Sequence, residues 1–203
     1  MSTVDFSDVA APDIRAFHDA ELARDGGAAA QFAESAGVWR WIEANHRCNR
    51  LLWDEEDRAR RRDVADAAIV ANKRAIDGYN QRRNDAIEKI DEALLERLSS
   101  VTPAPDAWHN SETAGSIVDR LSILALKIFH MRAETIRAEA AEAHRAACRE
   151  KLARLELQRA DLARCFDTLL ARASDGRAFW RIYRQFKMYN DATTNPYLYG
   201  GKT

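Results

Sequence analysis

Apolar positions recur at threes and fours along most of the chain, and residues that break helices are scarce. Only eight glycines and four prolines occur in 203 residues, with neither between Gly115 and Gly176. That pattern predicts long helices rather than a sheet. The expected fold class is all-α: one domain over residues 1–203, a bundle of five to six helices in which long helices dominate, closed by an irregular tail over 188–203. A first helix is expected from Pro12, a natural first-turn residue, to Asp25 before Gly26-Gly27. The second covers 38–61 and the third 63–99, stopping at a linker over 101–110 that opens Val101-Thr102-Pro103-Ala104-Pro105-Asp106. Asn110 or Ser111 is expected to cap a fourth, running to 138. A fifth, over 141–173, carries a seam of Cys148, Leu152, Leu155, Leu162, Phe166 and Leu169 and ends at Gly176. A sixth is read from Arg177 to Lys187.

Residues three, four, seven and eleven apart share a helix face, so polar side chains inside an apolar face are the informative anomaly. In the second helix Val38, Ile42, Leu52 and Trp53 mark the inward side, and Asn45, Asn49, Glu56 and Arg60 fall in the same stripe. In the third, the seam Ile69, Ile76, Ile87, Ile90, Leu94 is interrupted by Asn72, Asn80 and Arg83, with Lys73 and Asn84 at its border. The fourth is apolar nearly all round and is expected at the centre. Asp119 and His130 stack on one side of it, Glu112 joins their stripe and Lys127 flanks it. A buried unpaired charge costs several kcal/mol, so these residues satisfy one another or face a cleft. One or two polar residues suffice to fix helix register. So many point to a polar pocket between helices two, three and four.

Composition narrows the function. Acidic and basic residues nearly cancel, 32 against 31 for a net charge of −1, which leaves no field of the kind that holds nucleic acid. No run of about 18 apolar residues offers a membrane span, and the first residues lack the basic-then-apolar pattern of an export signal. A cytoplasmic location is expected. Cys48, Cys148 and Cys165 are far apart, with no Cys-x-x-Cys and no Cys/His ligand spacing, and read as reduced thiols, mostly packed. Glu43 and His46 make one Glu-x-x-His, where a di-iron bundle needs two, so no metal site is assigned and the cofactor is unknown. His18, His109 and His144 lack partners in spacing and read as surface residues.

Four blocks in order carry a family likeness: Asn49 to Arg60, Lys73 to Asp85, Gly115 to Met131, and Phe186 to Asp191 with Asn195 to Tyr199. Together they resemble the bacterial family known as domain of unknown function 4254. The resemblance implies an uncharacterised bacterial protein, loosely associated with genes for cell-surface polysaccharide synthesis. It brings no assigned catalytic residue.

The expected function is an enzyme or binder of a small anionic, phosphorylated or sugar-nucleotide ligand. Arg60, Lys73, Arg83 and Lys127 would meet phosphate or carboxylate, and Asn49, Asn80 and Asn84 would orient hydroxyls. Glu56, Asp119 and His130 are the candidates for proton transfer. The tail from Met188 to Tyr199 reads equally as a lid or as a structural strap. Two alternatives stay open. One is a scaffold without chemistry that holds a protein partner, or a second copy through the 141–173 helix. The other is a magnesium-dependent pyrophosphohydrolase using Asp85, Glu88 and Asp91.

Overall fold

The computed structural model describes residues 4–24, 36–185, 188 and 191–199. A 3-10 turn, Ser7–Val9, leads into α1 (Ala11–Ala23), followed by α2 (Trp39–Arg58), α3 (Asp66–Arg97), α4 (Ala114–Ile136), α5 (Glu142–Ser174) and a single turn, α6 (Pro196–Tyr199). The protein is an all-α bundle. Its described strands, β1 (Trp108–His109) and β2 (Ala178–Phe179), form one short parallel pair, Trp108 opposite Ala178 and His109 opposite Phe179. α2 packs chiefly on α3 and α4 on α5, while α1 lies against α4 and α5.

The core follows from the apolar stripes. Ile14 of α1, Ile42 of α2, Ile90 and Leu94 of α3, Ile117 and Leu121 of α4, and Phe166 and Leu169 of α5 are fully buried in one cluster. Each such side chain contributes about 1.5–3 kcal/mol relative to exposure. α4 holds the most buried positions, consistent with its nearly all-round apolar sequence. Its first turn reaches α3 through Gly115, where a Cβ would stand 2.4 Å from the Ile87 carbonyl oxygen. None of the helices described is long and apolar enough to cross a membrane.

The structure corrects three local expectations. α4 begins later than Asn110 or Ser111 allows: Thr113 is the cap, its side chain accepting from Ser116 N at 3.1 Å. Residues 108–110 are held extended instead, with Trp108 N donating to Arg177 O and Asn110 N to Phe179 O, both at 2.9 Å. The same pairing removes the sixth helix from 177–185; Phe186 and Lys187 lie outside the described residues. α5 stops in a two-bond cap, Gly176 N to Ala173 O at 3.0 Å and Arg177 N to Arg172 O at 2.8 Å, with Gly176 at φ +71. The chain then runs out beside the linker and buries Trp180. His18 is the third correction. It is wholly buried, for it follows Ala11 and Ile14 on the inward face of α1.

Candidate functional site

The polar residues that interrupt α2 and α4 face each other. Asp119 Oδ1 accepts from Asn45 Nδ2 at 2.8 Å and from Asn49 Nδ2 at 2.9 Å. Asn49 also reaches Ser122 Oγ at 3.1 Å, and His46 Nδ1 lies 2.8 Å from the same hydroxyl. From α3, Arg83 brings Nε to 3.9 Å from Asp119 Oδ1, an ion pair without a hydrogen bond. Asn45, His46, Asn49, Asp119 and Ser122 are all buried, so the interaction of charge with dipole is little screened.

The cluster continues into α1 and α5. The His46 ring stacks on His18 with centroids 4.5 Å apart, and Phe17 meets both edge-on or tilted. Beside them Arg159 of α5, 3% exposed, donates to Asp19 Oδ1 at 2.8 Å and to Arg15 O at 3.0 Å. Neither nitrogen of His18 and not Nε2 of His46 has a hydrogen-bond partner among the described residues. Burial, and then the Arg50 and Arg159 cations, push the His46 pKa down to about 3, while burial, then the His46 ring and Arg159, hold that of His18 well below its ordinary value. Both rings are neutral at pH 7.

A second polar place lies between α3 and the start of α4. Asp91, 1% exposed, accepts from Gly115 N at 2.8 Å. Burial raises its pKa to about 6, against the hydrogen bonds of Thr113 and Gly115 that favour the charged form. A cleft of about 200 Å³ opens here between Asp91, Glu88, Asn84, Ser116 and Gln185. Asn84 donates to Gln185 at 2.8 Å, and Arg184 spans Glu88 at 3.0 Å and Glu92 at 2.7 Å, fastening the 184–185 segment to α3. Asp85 does not join this carboxylate pair; it is exposed and takes Gln81 at 2.7 Å.

A third place has room for a ligand. Between α2, α4 and α5 runs a groove of about 430 Å³. Trp53 and His130 stack inside it almost parallel, centroids 4.4 Å apart, and Lys127, Lys151, Arg154 and Leu155 form its walls. Burial lowers the His130 pKa, opposed by Asp57 and Asp54, which keeps its imidazole neutral at pH 7.

The expected site residues thus fall into separate groups. Asn49, Arg83 and Asp119 meet in the buried cluster, and Lys127 and His130 meet in the groove. Glu56 pairs with Arg60 at 2.9 Å and Lys73 at 3.7 Å on the exposed end of α2. Asn84 lies in the α3–α4 cleft, and Asn80 is half-buried on α3. Ser122 and Lys151 were not singled out for a site, while His46 entered only the di-iron comparison and Asp91 only the pyrophosphohydrolase alternative. His46 and Ser122 carried a signal, since His46 follows Asn45 and Ser122 stands three residues from Asp119, on the same face of its helix.

An all-helical bundle with a buried polar chain across its helices and an open, cation-edged groove on α2, α4 and α5 is the class these features define. The chain belongs to the family described as protein of unknown function (DUF4254), whose model matches residues 39–182, a span that takes in the whole groove. No curated protein and no solved structure matches the chain.

Proposed function

We propose that this protein binds a small anionic, phosphorylated molecule with a flat or apolar portion, of the nucleotide or sugar-nucleotide class, in the groove between α2, α4 and α5. One observation carries the reading: two lysines, Lys127 and Lys151, edge a groove floored by the Trp53–His130 stack and pair with no carboxylate among the described residues. Arg154 adds a third cation, held only loosely by Glu150 at 3.8 Å. Glu134, the acid in the lining, is already taken by Arg137 at 3.0 Å and His144 at 2.9 Å. Uncompensated cations beside an aromatic, mostly apolar surface suit a ligand with phosphate at one end and a ring at the other. His130, neutral at pH 7, is the group able to accept a proton from a bound hydroxyl. Such metabolites belong to the cytoplasm, and the family likeness makes sugar nucleotides the first to try. The pyrophosphohydrolase alternative draws no support, because Asp85 stands apart from Glu88 and Asp91.

The test is a thermal-shift titration with nucleoside diphosphates and sugar nucleotides. A ligand at a hundred times its Kd adds about 2.7 kcal/mol of stability. Lys127→Met and Lys151→Met should each weaken binding by about tenfold, roughly 1.4 kcal/mol. A stabilisation that both variants leave untouched places the ligand elsewhere, and no stabilisation by any phosphorylated compound refutes the proposal.

A further inference from the structure

At the turn between α4 and α5, three side chains of different chemistry aim at one point. His144 and Cys148 are four residues apart on the first turns of α5 and therefore share a face. Glu134, in the last turns of α4, reaches them across the turn at 137–141. His144 Nε2 lies 2.9 Å from Glu134 Oε2 and 3.4 Å from Cys148 Sγ, and all three donor atoms fall within 4.8 Å of one another.

From these contacts we infer that Glu134, His144 and Cys148 form a binding site for a divalent transition metal, zinc by preference. Thiolate, imidazole and carboxylate together are the donor set zinc takes, at about 2.3 Å for sulfur and about 2.0–2.2 Å for nitrogen and oxygen. Around a tetrahedral ion those lengths put sulfur about 3.5 Å from nitrogen and nitrogen about 3.3 Å from oxygen. The observed 3.4 Å already matches the first. The observed 2.9 Å needs the second to open by only a few tenths of an ångström, between two side chains that are 46% and 35% exposed.

Two simpler readings fit less well. In a Cys–His–Glu relay the acid holds one ring nitrogen while the thiol meets the other. Here both approach the same atom, Nε2, which has one lone pair or one proton to give. A plain surface ion pair accounts for Glu134 and His144 but not for a buried cysteine turned toward that nitrogen. Arg137 Nη1 lies 3.0 Å from Glu134 Oε2 and donates to Oε1 at 3.2 Å, so when Oε2 ligates the guanidinium keeps Oε1 as an outer partner of the carboxylate. On binding, the Cys148 thiol releases its proton to solvent and His144 ligates through unprotonated Nε2. Three protein ligands leave a fourth position for water or a ligand atom. Glu134 also lines the groove, but the inference stands without a ligand there.

The experiment titrates the full, reduced chain with Co²⁺ and then displaces it with Zn²⁺. A thiolate-to-cobalt charge-transfer band should grow to one equivalent and vanish on zinc addition. Cys148→Ser should abolish it, and Cys165→Ser, at the exposed thiol, should leave it unchanged. Since Cys148 is packed, His144→Ala at its exposed position provides the second test: affinity should fall by more than the roughly 10–100-fold that loss of a supporting hydrogen-bond partner costs. A band that never saturates, that follows Cys165, or that survives His144→Ala at full affinity overturns the site. Lys127→Met should bind cobalt like the parent chain, which separates this result from the fate of the groove.

Discussion

The stacked pair His18–His46 makes the fold sensitive to acid in a way that can be worked out beforehand. Both rings are neutral in the folded protein, their pKa values depressed by burial, His46 to about 3 and His18 well down. In the unfolded chain each titrates near about 6.5. Below that value the unfolded chain takes up protons that the folded one refuses, so stability is present above about pH 6.5 and is lost as pH falls toward the folded values. Each ring contributes a loss of about 1.4 kcal/mol per pH unit, and the pair about 2.7. Asp91 acts in the opposite sense. Its pKa is raised to about 6, so the folded chain takes up a proton there before the unfolded one does, and stability is gained as pH falls from about 6 to about 4. From these three groups the balance in that window is a loss of about 1.4 kcal/mol per pH unit, large beside a total stability of about 5–15 kcal/mol, and His130, its pKa also lowered by burial, adds to the loss.

His18→Phe isolates one member of the pair. Because neither nitrogen of His18 makes a hydrogen bond among the described residues and the ring already packs against Phe17 and His46, phenyl should keep or raise stability near pH 7.5. It should also remove about 1.4 kcal/mol per pH unit of the acid loss just below about pH 6. Urea denaturation at intervals from about pH 7.5 to about pH 4.5 reads both quantities. An unchanged slope would show that the buried imidazole does not govern the acid loss. A loss of several kcal/mol at pH 7.5 would show that its nitrogens are satisfied after all.

Two further substitutions test the contact between α3 and α4. Asp91→Asn keeps an oxygen for Gly115 N while removing the buried charge, so stability should rise at pH 7.5 and the acid loss should steepen to about 2.7 kcal/mol per pH unit; the same urea series checks it, and an unchanged slope refutes it. Gly115→Ala gains about 1 kcal/mol of helix propensity but drives a methyl to 2.4 Å from the Ile87 carbonyl and 2.9 Å from Asp91 Oδ2. Backbone cannot yield as a side chain can, so a net loss of about 2 kcal/mol is expected, a fall in Tm of about 4–8 °C, and an unaltered melt would remove the close approach from the argument.

The helices were legible because period and breakers are local properties, and α2, α3, α4 and α5 lie within a few residues of where the pattern put them. The pairing of Trp108–His109 with Ala178–Phe179 joins segments far apart in sequence, and it overrides the helical reading of 177–185. The inward stripe found Asn45, Asn49, Arg83 and Asp119 correctly as neighbours, since a shared face plus a facing helix is what periodicity reports. It could not gather Glu56 and His130 with them. A stripe gives an angle about the axis and no depth along it: Glu56 lies about 10 Å beyond Asn49 and His130 about 16 Å beyond Asp119 at 1.5 Å per residue. His18 was readable, since Ala11, Ile14 and Leu22 share its face, but a lone histidine was assigned by its chemistry instead. The four-residue spacing of His144 and Cys148 was also in view. Glu134 joins them only once the turn at 137–141 has reversed the chain.

The buried polar chain and the open groove belong to one arrangement of α2 against α4. Asn45, His46 and Asn49 hold Asp119 and Ser122 through directional bonds, which unlike apolar packing tolerate no sliding of one helix on the other. One turn beyond Asn49 stands Trp53, and two turns beyond Ser122 stands His130. Their near-parallel stack therefore inherits its geometry from the bonds behind it. A slip of one residue would shift either ring by 1.5 Å along the axis and turn it by about 100°, enough to break the stack and swing Lys127 off the groove. Polar burial that would otherwise cost stability thus gains a reason: it fixes the register on which the groove depends. The rings are placed by α2 and α4, while Lys151 and Arg154 come from α5, tied to α1 through Arg159 and Asp19. A ligand bridging the aromatic floor and the cationic edge would lock together the two halves of the bundle that the buried chain already aligns.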